Sequence, residues 1–190
     1  MGYSPVVVKD NGLIRVKALV GTHTIMLGFD LLGLEAERQH LLGFAVRRTK
    51  LEEGETWWLT GQLRFDDDTG DLGDDVPSWR APFQKFYWGD YAVKPGFTYR
   101  YEVYPVLKRV TQPDQLESPL DVAVTAASEA DRGLGLYFNR GVTAALAYRQ
   151  RFGDTPPAKV PDEAAYHWLS RGLREALVRF ISEAAPGDAL

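Results

Sequence analysis

Short runs in which apolar side chains recur at every second residue, separated by Gly, Pro and Asp, dominate the first two thirds of the chain. Ile14, Val16, Ala18 and Val20 alternate with Arg15, Lys17 and Leu19, and Ile25, Leu27 and Phe29 with Met26 and Gly28. Phe44 and Val46 alternate with Ala45 and Arg47, and charged Arg48 reads as the end of that apolar face. Tyr99, Tyr101 and Val103 alternate with Arg100, Glu102 and Tyr104, and Val122 and Val124 with Asp121 and Ala123. Period two puts successive side chains on opposite faces of a strand, one dry and one wet. Five such runs spaced by turn residues predict an antiparallel β-sandwich rather than a parallel sheet.

The period changes to helical near Asn139. Val142, Ala145, Leu146 and Phe152 share one side of a helix expected over 139–152, capped by Asn139. Gly153, Pro156, Pro157 and Pro161 interrupt it. A second helix is expected over 162–184, with Asp162 as N-cap and Glu163 in its first turn. Tyr166, Leu169, Leu173, Leu177, Phe180 and Ala184 form its apolar stripe, while Trp168 and Val178 lie off it. Two apolar sides imply two contacts. The expected fold is therefore mostly β: a sandwich at 1–130, then a helical extension at 131–190.

Composition removes several chemistries. The 190 residues suit one domain, or one domain with an appendage. With no Cys there are no disulfides, thiolate nucleophiles or Cys-ligated metals, and three His (His23, His40, His167) are poor material for a His-built site. They read as a strand-end, a turn and an exposed helix residue. A net charge of −4 argues against nucleic acid as a partner of the whole chain. There is no signal-like segment and no apolar run of membrane-spanning length, so the expected location is cytoplasmic. The acidic stretch 66–75 misses calcium-loop spacing, with Gly70 at position five and Asp71 where glycine is required, and reads as a solvated loop. Gly-x-Ser-x-Gly and P-loop signatures are absent, and Gly133-Leu134-Gly135 lacks a βαβ context. Arg47, Arg48 and Lys50 could form a small phosphate-facing patch. Phe83, Phe86, Tyr87, Trp88 and Tyr91 read as core, with stacking on a sugar or base as the rival reading.

Two resemblances add to this. Val93-Lys94-Pro95-Gly96-Phe97-Thr98-Tyr99 resembles the start of strand F in a fibronectin type III domain, which implies that Tyr99 is its tyrosine corner. Residues 25–30 and 43–48 are similar to strands B and C of that family, with Phe29 in place of the usual Trp and with insertions at 31–41 and 66–82. Residues 41–49, 83–91, 138–142 and 168–173 together resemble the amino-terminal region of bacterial phospholipase D-like proteins. In those proteins this region precedes a catalytic domain carrying His-x-Lys-x4-Asp. That chemistry needs a His nucleophile with a Lys on the phosphate oxygens. Two residues after the three histidines stand Ile25, Leu42 and Leu169, so no such pair exists here.

The resemblance thus implies a non-catalytic accessory domain of a phospholipase D-like phosphodiesterase or nuclease. Its partner would be a catalytic domain in cis or in trans, or a second copy. Leu169, Leu173, Leu177 and Phe180 would face the sandwich; Trp168 and Val178 would face the partner. No catalytic, cofactor or metal residue is assigned. The alternatives are a metal-dependent hydrolase using the Asp66–Asp75 loop and a stand-alone carbohydrate- or protein-binding sandwich.

Overall fold

The computed structural model describes residues 6–61, 63–65, 76–128, 130–131, 134–135, 137, 139, 146–185 and 187. The chain divides into two compact units, Met1–Ser128 and Glu129–Leu190.

Among its described residues the first unit holds ten strands, one short α-helix and a 3-10 turn at Pro113–Gln115. They are β1 (Val6–Asp10), β2 (Ile14–Val20), β3 (Ile25–Leu31), α1 (Glu35–His40), β4 (Gly43–Lys50), β5 (Glu55–Trp58), β6 (Thr60–Gly61), β7 (Val76–Pro77), β8 (Tyr87–Asp90), β9 (Thr98–Val106) and β10 (Leu120–Thr125). Strands β1-β2-β3-β8 form one four-stranded sheet and β10-β9-β4-β5 another, and β6 pairs with β7. Every pairing is antiparallel. The turns explain how neighbours meet. Between β1 and β2 the Asn11 carboxamide oxygen accepts the N–H groups of Leu13 and Ile14 at 3.1 and 2.9 Å, and Gly12 takes φ 83°, which a side chain would disfavour.

The alternation seen in the sequence becomes the core. Strand β2 buries Ile14, Val16, Ala18 and Val20 and exposes the residues between. These pack with Ile25, Leu27 and Phe29 of β3 and, from the other sheet, with Phe44, Val46, Tyr101, Val103 and Val122. Phe29 and Phe44 stack across the two layers with ring centroids 4.8 Å apart. Each such side chain contributes roughly 1.5–3 kcal/mol on burial, so this single cluster dominates the stability of the unit.

Strand β4 does not lose its dry face at Arg48. It continues to Lys50, and Arg48 and Lys50 follow Phe44 and Val46 inward, only 5% and 4% exposed. Arg47 points the other way, beside Trp58 and Glu102 in the register. The expected patch of Arg47, Arg48 and Lys50 is therefore divided between two faces of one strand.

Among the described residues of the second unit two short strands form one antiparallel pair, β11 (Ala130–Asp131) with β12 (Leu134–Gly135). Helix α2 spans Leu146–Phe152. Of the helix expected over 139–152, residues 140–145 lie outside the described residues. The helix expected over 162–184 is instead two, α3 (Ala164–Ser170) and α4 (Leu173–Ser182). Arg171 and Gly172 stand between them at φ 49° and 82°, a left-handed conformation that cannot continue a helix and that Gly172 takes without steric cost. Asp162 caps neither helix. It sits at φ 55° inside a 3-10 turn, Pro161–Glu163, and α3 begins without a side-chain cap.

Candidate functional site

Four places in the molecule gather chemistry. The first is the inward end of β4. The Arg48 guanidinium pairs with Asp90, whose Oδ2 also accepts the Tyr101 hydroxyl at 2.9 Å and whose Oδ1 accepts the Ala92 N–H at 3.0 Å. Arg48 lies 4.1 Å from the Trp57 ring centroid and 5.4 Å from that of Tyr99, and its buried Nε has no hydrogen-bond partner. Burial, then the Asp90 charge, pushes the Tyr101 phenol far above its ordinary range, so it remains a neutral donor. Asp90 is 1% and Tyr101 0% exposed. No substrate reaches these groups: the network fixes the sheets rather than reacting. Nearby, the Tyr99 hydroxyl accepts the Lys94 backbone N–H at 2.8 Å.

The second place is the outer face of the β10-β9-β4-β5 sheet. Ala45, Tyr104 and Val106 form a small apolar cluster there, joined by Leu42, Trp58, Trp79 and Leu116. Arg47 grips Glu102 with two bonds, Nε to Oε2 at 2.6 Å and a terminal nitrogen to Oε1 at 2.5 Å. That bond holds the Glu102 carboxyl below its usual range. Trp79 is set in place by its neighbour. The Ser78 hydroxyl accepts the Val46 N–H at 3.0 Å and donates to the Val46 carbonyl at 3.2 Å. Beside Trp79 opens a hollow of about 500 Å³ lined by Phe65, Trp79, Arg80, Val106, Arg109, Val110 and Thr111.

The third is the outer face of the β1-β2-β3-β8 sheet. The register aligns Val6, Leu19, Met26 and Gly89 in one row, and Val8, Lys17, Gly28 and Tyr87 in the next. A side chain at Gly89 would collide with the Tyr91 ring at 2.8 Å, so Tyr91 lies over that position. Tyr87 and Tyr91 are more than half exposed. The aromatic run is thereby split: Phe83 and Trp88 stack on each other at 5.3 Å, with Phe83 buried and Trp88 packed on the core, while Phe86, Tyr87 and Tyr91 face water.

The fourth is the α3–α4 segment, where the candidate interface residues fall. Trp168 is half-buried and packs edge-on against Tyr148 at 6.0 Å and Phe152 at 5.8 Å. Leu169 and Leu173 are half-buried on either side of the break. Leu177, Val178 and Phe180 are 52%, 57% and 63% exposed, and Ile181, which the stripe did not include, is 57% exposed. His167 Nδ1 meets Glu175 Oε1 at 2.8 Å and Arg174 meets Glu163 at 2.5 Å, tying α4 back to α3.

Among the described residues no group of three or more His, Asp or Glu could hold a metal ion, and the acidic stretch 66–75 lies outside the described residues. No described helix is long and apolar enough to cross a membrane. Sequence reasoning missed the hollow because its walls come from three separate stretches of the chain, at 65, 79–80 and 106–111, without a shared period. No known family model matches the chain, and neither does any curated protein.

Proposed function

We propose that the chain is a fibronectin type III-like sandwich with a helical extension, serving as a non-catalytic accessory domain of a bacterial, cytoplasmic phospholipase D-like phosphodiesterase or nuclease. Its role is to position or assemble the catalytic part. The observation that carries this reading is the open apolar side of α4, where Leu177, Val178, Phe180 and Ile181 all stand more than half exposed. Together they offer on the order of 400 Å², about half the ~800 Å² per partner of a stand-alone complex. A patch of that size suits a partner tethered by the same chain or held by additional contacts, where effective concentration supplies what area does not. The sandwich reading is supported by the strand orders β1-β2-β3-β8 and β10-β9-β4-β5 and by the Lys94–Tyr99 hydrogen bond.

The test mixes the purified chain with a phospholipase D-like catalytic domain encoded in frame with it or beside it. Expected results are complex formation weakened at least tenfold by Phe180→Asp, and no hydrolysis of bis(p-nitrophenyl) phosphate by the chain alone. Phosphodiester cleavage by the homogeneous chain, or binding indifferent to Phe180→Asp and Val178→Asp, would overturn it.

A second reading, a carbohydrate-binding sandwich, is favoured by Tyr87 and Tyr91, two exposed rings on one sheet face. It expects saturable binding of a soluble glycan that Tyr91→Ala abolishes.

A further inference from the structure

The outer face of the β1-β2-β3-β8 sheet meets water with unusually apolar side chains. The wet face of an antiparallel sheet is ordinarily polar, because its strands alternate. Here Val8, Leu19, Met26 and Tyr87 are 51%, 40%, 39% and 55% exposed. Arg15, Lys17 and Asp30 stand exposed between them. Together these side chains offer on the order of 600 Å², against the ~800 Å² per partner of a stable interface.

The register gives this face an internal match. Below the two rows already described lies a third, Asp10, Arg15 and Asp30. A line drawn along the strands between β2 and β3 divides the rows into halves that complement each other. Leu19 stands across that line from Met26, apolar beside apolar. Val8 of β1 stands as far to one side as Tyr87 of β8 stands to the other. Long, cationic Lys17 stands across from Gly28, which has no side chain to offer, and Arg15 stands across from Asp30.

A second copy turned about that line and laid on the face meets each half with its complement. Leu19 lands on the partner copy's methionine, Lys17 over its glycine and Arg15 on its aspartate, and a two-fold makes every contact twice. The charges balance, with Asp10 and Asp30 against Arg15 and Lys17. Within the chain Arg15 meets Asp10 at 3.5 Å, and among the described residues no cation forms an ion pair with Asp30. Two sheets stacked ~10 Å apart with strands aligned to within ~30° are an ordinary packing.

We propose that this face binds a second copy of the same chain, in a two-fold dimer whose axis runs along the strands between β2 and β3. The dimer is independent of the accessory-domain reading and competes with the carbohydrate reading for Tyr87.

The purified full chain is studied by sedimentation equilibrium from ~1 to ~500 µM, and half of it is expected to be dimeric below ~100 µM. Arg15→Asp sets aspartate against Asp30 of the other copy, and Asp30→Arg sets arginine against Arg15. Each is expected to weaken self-association at least tenfold. An equimolar mixture of the two variants is expected to dimerise again, because each then meets the opposite charge at both contacts. Gly28→Leu is expected to weaken the dimer while leaving the monomer folded, since a Cβ at Gly28 makes only ordinary contact with Lys17, at 3.8 Å or more. If a charge variant fails to fold, the concentration series on the unaltered chain and Gly28→Leu decide. A chain still monomeric at ~500 µM, a dimer indifferent to both charge reversals, or a mixture that stays monomeric overturns the proposal. So does a dimer lost only in Phe180→Asp, which would place self-association on α4. A monomer that binds a soluble glycan through Tyr87 overturns it in favour of the carbohydrate reading.

Discussion

The strand unit and the helical unit solve the burial problem differently. In the first, each inner strand presents one apolar face and the facing sheet covers it: Ile14, Leu27, Val46 and Tyr101 are at most 1% exposed. Even its inward charges are answered, Arg48 by Asp90 and Lys50 by Glu53. In the second, α3 and α4 have 7 and 10 residues, shorter than the ~12–15 at which an isolated helix begins to hold in water. Tyr148, Phe152, Ala165 and Trp168 stabilise α2 and α3, whereas α4 holds no buried residue. The strand unit is complete by its own packing. The final helix depends on its hold on α3.

That contrast breaks most readily at Asp90. Asp90→Ala leaves the Arg48 charge buried and unpaired, and the expected loss is about 3–5 kcal/mol, read as a lower urea midpoint. If the loss is under about 1 kcal/mol, charge pairing is not what completes the first unit.

Gly172→Ala probes the other side. At φ 82° the added methyl is expected to cost about 1 kcal/mol, confined to faster amide exchange across α3 and α4. Faster exchange throughout the strand unit as well would show the two units to be coupled.

Tyr99→Phe removes the acceptor of the Lys94 N–H and is expected to cost about 1 kcal/mol in the first unit, measured by denaturant titration.

Acid sharpens the comparison more gently. Because Arg47 lowers the Glu102 carboxyl, the folded state binds this proton less readily than the unfolded chain. The stabilisation is complete above the ordinary glutamate value of 4.5 and is lost as pH falls through the lowered value. Arg47→Gln should flatten the acid side of a melting-temperature profile, by about 1 kcal/mol for a part-buried pair whose Arg47 side chain still meets water.

Smallest of all is Phe180→Ser. With 63% of Phe180 already in water, stability should change by under about 0.5 kcal/mol, whereas Phe44→Ala in the core should cost about 3–5 kcal/mol.

The strand unit was the more legible in sequence because period two survives any tertiary context that covers one face. Residues 14–20 and 25–29 declare both their strand and their dry side. The same rule misled at Arg48 and Lys50, since a charge was read as the end of burial. Asp90 and Glu53, which make inward cations tolerable, are distant or off-strand and announce nothing. In the helical unit the 3.6 period of Leu169, Leu173 and Leu177 runs straight through the break, because a stripe records side chains and not backbone. Gly172 was the available signal, a glycine in mid-pattern. The hollow beside Trp79 left no trace, because tertiary folding alone assembles it.

Ser78 carries a mechanical consequence. By giving and taking a hydrogen bond at the same residue of β4, it rivets the segment bearing Trp79 to a central strand, beside an interlayer core. A push on that indole travels through the rivet into the side chains packed between the two sheets, so swinging the rim outward would first have to break both bonds.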